Sequence, residues 1–118
     1  MKSYTDIEQA KKLRKILPLE SADMCYKCIE DDPYDIVCKP YSEWKEEYKG
    51  LLIRGDANVI PAWSLTALLS VLPSYEINNF GNAIQLAVNR ESLETEGNET
   101  LVDLVVNMII NLNELKRL

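Results

Sequence analysis

Cys25 and Cys28 stand at C-x-x-C spacing with Cys38 nearby, and three thiolates so placed are a start toward a zinc or iron–sulfur site. The fourth soft ligand is missing, because these are the only three cysteines and the chain has no histidine. If Met24 to Ile29 is a strand, residues three apart also point to opposite faces, and the βαβ context of a thioredoxin-like pair is absent. Buried or incidental reduced thiols are therefore the expectation, with a metal or redox role as the alternative. The lack of histidine also excludes Ser-His-Asp and Cys-His nucleophile systems and imidazole ligation.

Glu30, Asp31, Asp32 and Asp35 concentrate carboxylates that are able to do acid–base work or hold a hard cation. Their spacing is not that of a calcium loop, and around Pro33 they read as a solvated turn. Lys11, Lys12, Arg14 and Lys15 lie on the side of a first helix away from its apolar residues. Lys11, Lys12 and Lys15 are the candidate anion-binding residues, weighed against a plain solvated face. Trp44, Tyr48 and Trp63 suit either a contact surface or core anchoring. Arg54-Gly55-Asp56 resembles an adhesion tripeptide but without export reads as a turn, and Asn98-Glu99-Thr100 matches a glycosylation acceptor and fails on the same ground. No catalytic residue, metal ligand or cofactor is assigned, and the chain reads as non-enzymatic.

The elements that would position these residues belong to one domain spanning 1–118, a length that buries roughly two-thirds of its unfolded surface in a single core. A hydrophobic fraction of 47% with 27% charged residues is ordinary globular composition. Thirteen basic against nineteen acidic residues give a net charge of −6, which disfavours nucleic acid and anionic membrane as default partners. The N-terminus turns polar at once and lacks the apolar core of a signal peptide, which implies a cytoplasmic protein. The stretch Val59 to Leu72 is interrupted by Pro61, Ser64, Thr66 and Ser70, whereas a membrane span needs about 20 mostly apolar residues.

Thr5 and Glu8 have capping-box spacing, and Ile7, Ala10, Leu13 and Ile16 recur with helical period, so a helix is predicted over 6–16. Met24 to Ile29 and Ile36 to Lys39 flank the acidic turn as a hairpin. Tyr41 to Gly50 reads as a short helix or an aromatic edge strand, with Leu51 to Ile53 as a strand candidate. Ser64 caps a second helix that stops before Pro73. Tyr75 to Asn78 and Ala83 to Asn89 alternate as a second hairpin, Glu91 to Gly97 reads as an acidic loop, and Asn98 caps a last helix reaching about Lys116. The fold class is α+β: helix, hairpin, undecided segment, helix, hairpin, helix, with three main helices on a small antiparallel sheet built from both hairpins.

The last helix carries an unusually wide apolar arc. At about 100° per residue, Leu101, Leu104, Val105, Met108, Ile109, Leu112 and Leu115 make a core stripe, and Val102, Val106 and Ile110 extend it around the helix. Either the domain covers this arc itself, or Val102, Val106 and Ile110 join Trp44 and Trp63 as interface candidates.

Tyr4-Thr5-Asp6-Ile7-Glu8-Gln9, Leu17-Pro18-Leu19-Glu20-Ser21-Ala22-Asp23-Met24, Pro61-Ala62-Trp63-Ser64-Leu65 and Met108 to Lys116 together resemble a family of short uncharacterised proteins from gut anaerobic bacteria and their phages or mobile elements. The resemblance implies a bacterial or phage cytoplasmic setting and transfers no functional residues. The expected role is that of an accessory protein acting through a protein partner or a second copy of itself. A nucleic-acid-associated regulator using the basic face and a small ligand-binding protein are the alternatives.

Overall fold

The computed structural model describes residues 2–27, 35–38, 43, 46–54 and 59–118. In chain order these form α1 (Ile7–Arg14), a single 3-10 turn (Leu19–Ser21), β1 (Met24–Lys27), β2 (Asp35–Cys38), α2 (Glu46–Arg54), β3 (Val59–Ala62), α3 (Leu65–Val71), β4 (Tyr75–Phe80), β5 (Ala83–Val88), β6 (Glu91–Glu94) and α4 (Leu101–Glu114). The class is α+β, and the strands form two antiparallel sheets of three, ordered β2-β1-β3 and β4-β5-β6, rather than one sheet of two hairpins.

The third strand of each sheet is what alternation did not disclose. β3 contains Pro61, which cannot donate to a ladder and is tolerated in a strand only at an edge; β3 occupies that position, with Pro61 opposite Cys25. β6 has a single apolar residue, Leu93, among Glu91, Ser92 and Glu94, and pairs with β5 through Leu86↔Leu93 and Val88↔Glu91 where an acidic loop is predicted. Residues 46–50 of the undecided segment belong to a helix, α2, which runs on through the strand candidate Leu51 to Ile53; 41, 42, 44 and 45 lie outside the described residues.

α1 starts one residue later than its spacing predicts. Asp6 is the cap: its carboxylate accepts from Gln9 N at 2.8 Å while Asp6 N donates to Gln9 Oε1 at 3.1 Å. Thr5 is buried and tied across the chain instead, its hydroxyl accepting from Trp63 N at 3.1 Å and its own N–H donating to Trp63 O at 3.0 Å. Tyr26 Oη donates to Thr5 O at 2.7 Å, and Leu65 N donates to Ser3 O at 3.0 Å. Residues 3–5 are thereby laced to 63–65 and lead directly into α1. Thr5→Val keeps the shape but leaves the Trp63 N–H without its acceptor, a loss of about 1–3 kcal/mol. Urea unfolding should show it as a lower midpoint at unchanged slope.

Described side chains of β1 and β3 pack on both faces of the first sheet. Met24, Tyr26, Ile60 and Ala62 pack with Ala10, Tyr4 and Ile7 on the α1 side, while Cys25 and Val59 face the main core. That core joins Leu13, Trp63, Leu68, Leu86 and Val88 to the buried side of α4. α3 packs on α4, and α4 lies over β5 and β6. Thr100 caps α4, accepting from Asp103 N, and Asp103 Oδ2 accepts in return from Thr100 N at 2.8 Å; the expected cap at Asn98 lies two residues too early. Among the described residues no helix is long and apolar enough to cross a membrane.

Candidate interaction surface

The wide arc of α4 is internal. Val102 and Val106 are 0% and 1% exposed, within the main core with Val105, Met108 and Ile109; Ile110 is half-buried against the same core, and α4 packs on α3, β5 and β6. A helix sandwiched between two elements needs apolar residues around most of its circumference, which accounts for the breadth of the arc without a partner. Val102 and Val106 are thus corrected from interface candidates to core residues. Trp63 receives the same correction: it is fully buried and its Nε1 donates to Ser21 Oγ at 2.9 Å. Trp44 lies outside the described residues.

Lys11 and Lys12 on α1, and Lys15 at its C-terminal cap, are exposed, as their spacing predicts. Arg14 turns partly inward and lines a cleft of about 200 Å³ with Leu17, Leu19, Ile53, Pro61 and Trp63. Cys25 is buried in the main core; Cys28, Glu30, Asp31, Asp32 and the Gly55-Asp56 pair lie outside the described residues, as do the side chains of Asp35 and Cys38. Among the described residues no group of three metal-ligating side chains comes together. Every buried side-chain nitrogen and oxygen among them has a hydrogen-bond partner, so no buried polar group in these clefts is held in wait for a ligand.

Asp23, which no spacing rule singles out, pins α3: its carboxylate accepts from Ser64 N at 2.9 Å and from the Ser64 hydroxyl, while Ser64 Oγ accepts from Ala67 N at 3.2 Å. The Ser64 hydroxyl donates its proton to Asp23 and its oxygen accepts from the first turn of α3, so both of its bonds hold that helix start.

A second polar knot ties the N-terminal segment to α4. Lys2 Nζ lies 2.6 Å from Asp103 Oδ1 and 3.0 Å from Asp6 Oδ2, and Gln9 Nε2 donates to Asp103 Oδ1 at 2.8 Å. Partial burial pushes the Asp103 carboxyl up, but the Lys2 ammonium, the Thr100 N–H and the Gln9 amide outweigh it and hold Asp103 well below the usual carboxylate range. At Lys2 burial lowers the pKa, and the bonds to Asp103 and Asp6 overcome it, so the net shift is upward. Asp103 therefore contributes stability above its unfolded value, about 3.9, that is lost as pH falls toward the lower folded value. Lys2 contributes below about 10.4 and loses its contribution as pH rises through its raised folded value. Asp103→Asn should cost about 1–3 kcal/mol at neutral pH and flatten the acid limb of a stability-against-pH curve measured by thermal unfolding.

The exposed apolar residues gather elsewhere, on β4. Cross-strand pairing sets Tyr75 beside Val88, Ile77 beside Leu86 and Asn79 beside Ile84. Tyr75 and Ile77 thus share the face whose neighbours Leu86 and Val88 are completely buried. Yet α4 covers β5 and β6, and β4 overhangs it: Tyr75 is 43% and Ile77 38% exposed, and Phe80, on the opposite face, is 61% exposed. Gly81, at φ +68°, turns the chain from β4 into β5. Among the described residues β4 pairs with β5 alone, and none of them pairs with its outer backbone edge.

The edges differ in how they are guarded. β3 carries Pro61 and lies under α1 and α2; β6 is four residues long, holds two glutamates, and is braced where Glu91 accepts from Arg117 Nη1 at 2.9 Å. β4 is six residues long with one charge, Glu76, and neither Lys nor Pro. Such an edge is a template for another strand. Sequence reading placed Tyr75 to Asn78 in a hairpin; that this strand would be the uncovered one depends on where α4 lies, which local pattern does not encode. No family model matches the chain, and no curated protein or solved structure matches it.

Proposed function

We propose that the chain is a non-enzymatic accessory protein of the bacterial, phage or mobile-element kind that works in the cytoplasm through protein contacts, with the open edge of β4 as its contact surface. The observation that carries this reading is the overhang of β4 beyond α4. Tyr75 and Ile77 extend the core face of the second sheet into solvent, and the adjoining backbone edge has its N–H and C=O groups turned outward. An added strand would satisfy those groups and cover the apolar pair together. The net charge of −6, and the hydrogen-bonded state of the buried polar side chains among the described residues, weigh toward protein rather than nucleic acid or a small ligand.

A photoreactive probe tests it: Phe80→p-benzoylphenylalanine, irradiated in the cell that produces the chain, with the same probe at Lys15 as control. A defined adduct from position 80, lost when Ile77→Lys is added, is expected. Adducts from position 80 that match those from Lys15 would refute the reading. Likewise, the purified protein should pass a polyanion column unretained at about 0.15 M salt. Retention that vanishes on charge reversal of Lys11, Lys12 and Lys15 would move the contact surface to α1.

A further inference from the structure

We infer that the strand seated on β4 is β4 of a second copy, paired antiparallel about a two-fold axis centred on Ile77; this rests on the reading that the β4 edge is the contact surface. In an antiparallel pair, opposed residues share a face, and a strand paired with its own copy about a two-fold axis must match residues of equal parity. The register that would overlap all of Tyr75–Phe80 is therefore forbidden, because it sets odd against even positions. Allowed centres on Ile77 or Asn78 each pair five of the six residues, whereas centres on Glu76 or Asn79 pair only three.

Charge and packing choose among them. A Glu76 centre opposes two carboxylates directly, which is destabilising. An Asn78 centre puts Ile77 opposite Asn79 of the copy and Glu76 opposite its Phe80, so each apolar residue meets a polar one. An Ile77 centre pairs Ile77 with its equivalent, Tyr75 with Asn79, and Glu76 with Asn78, so the two carboxylates are kept apart and the carboxamide offers them a donor.

The same register continues a ladder already present in one copy. Leu93, Leu86 and Ile77 lie opposite one another across β6, β5 and β4 and stop at the open edge. Two-fold pairing at Ile77 joins this row to its equivalent across a six-stranded sheet. Tyr75 then lies diagonal to Ile77 of the copy, a separation that an aromatic ring spans. A single strand pair is a small contact, so a reversible dimer follows rather than a permanent one.

The test uses the purified full chain. Sedimentation equilibrium from about 1 μM to about 1 mM should show mass rising toward twice that of the chain, and Ile77→Lys should weaken association at least about tenfold while leaving the far-ultraviolet spectrum unchanged. Under mild oxidation Ile77→Cys should give a covalent dimer linked through residue 77, and Asn78→Cys should not. Linkage through 78 but not 77 overturns the inferred pairing. A monomer at about 1 mM whose position-80 probe captures a different chain overturns the second copy while β4 stands as the contact surface. A monomer with no capture overturns both.

Discussion

Trp63→Ala should lower the unfolding free energy by about 3–5 kcal/mol, the range for removing a large aromatic from a packed interior. Trp63 is fully buried in the main core, so truncation opens a cavity lined by residues from several elements. Its indole N–H also leaves Ser21 Oγ without a donor, loosening the 3-10 turn between α1 and β1. The backbone of Trp63 holds Thr5 from both sides, so disturbance at this position reaches the start of α1. With total stabilities of about 5–15 kcal/mol in domains of this size, the variant should sit near the edge of folding at room temperature. Trp63→Phe fills most of the volume and loses mainly the hydrogen bond, so it should cost much less. Urea unfolding followed by circular dichroism separates the two; equal and small losses for both would mean that Trp63 lies at the surface.

Val106→Asp should abolish cooperative folding. At 1% exposure, Val106 has core on every side, and a carboxylate there has no partner and no water. Substitutions that bury an unpaired charge fall in the range above about 4 kcal/mol, enough to exhaust a typical stability. Val102→Asp should behave alike, because Val102 is equally enclosed. Ile77→Lys makes the opposite case: at 38% exposure its ammonium reaches water, and the chain should keep its fold and thermal midpoint. A folded Val106→Asp, shown by a cooperative melt, would mean that the arc of α4 faces outward after all.

Legibility in the sequence followed the range of the forces involved. Ser64 as the cap of α3, the stop before Pro73 and the core stripe of α4 from Leu104 to Leu112 are set within a few residues of themselves and stand where spacing puts them, whereas Leu115, expected in the same stripe, lies past the end of α4 and is 44% exposed. β3 was not legible because all four of its residues are apolar and buried, which leaves no alternation, and it carries Pro61; β6 was not legible because an edge strand with one covered face tolerates two glutamates. The capping residue of α1 shifted from Thr5 to Asp6 because a residue distant in sequence, Trp63, claims the Thr5 hydroxyl. The surface assignment failed for a related reason. An apolar arc on one helix records how much of that helix is covered, and not what covers it; β5, β6, α3 and α1 all pack on α4, and Val102 and Val106 belong to the core they form. The apolar residues left in water, Tyr75 and Ile77, look like ordinary alternation until the limits of α4 are known.

Amide hydrogen exchange of the purified chain, read residue by residue at two concentrations about a hundredfold apart and spanning about 10 μM to 1 mM, bears most directly on the division between the buried face of α4 and the open edge of β4. Amides of 101–114 should exchange equally slowly at both concentrations, and the outward amides of 75–80 should slow markedly at the higher one. Exchange of α4 that slows with concentration, with 75–80 unchanged, would contradict it and return the contact surface to the last helix.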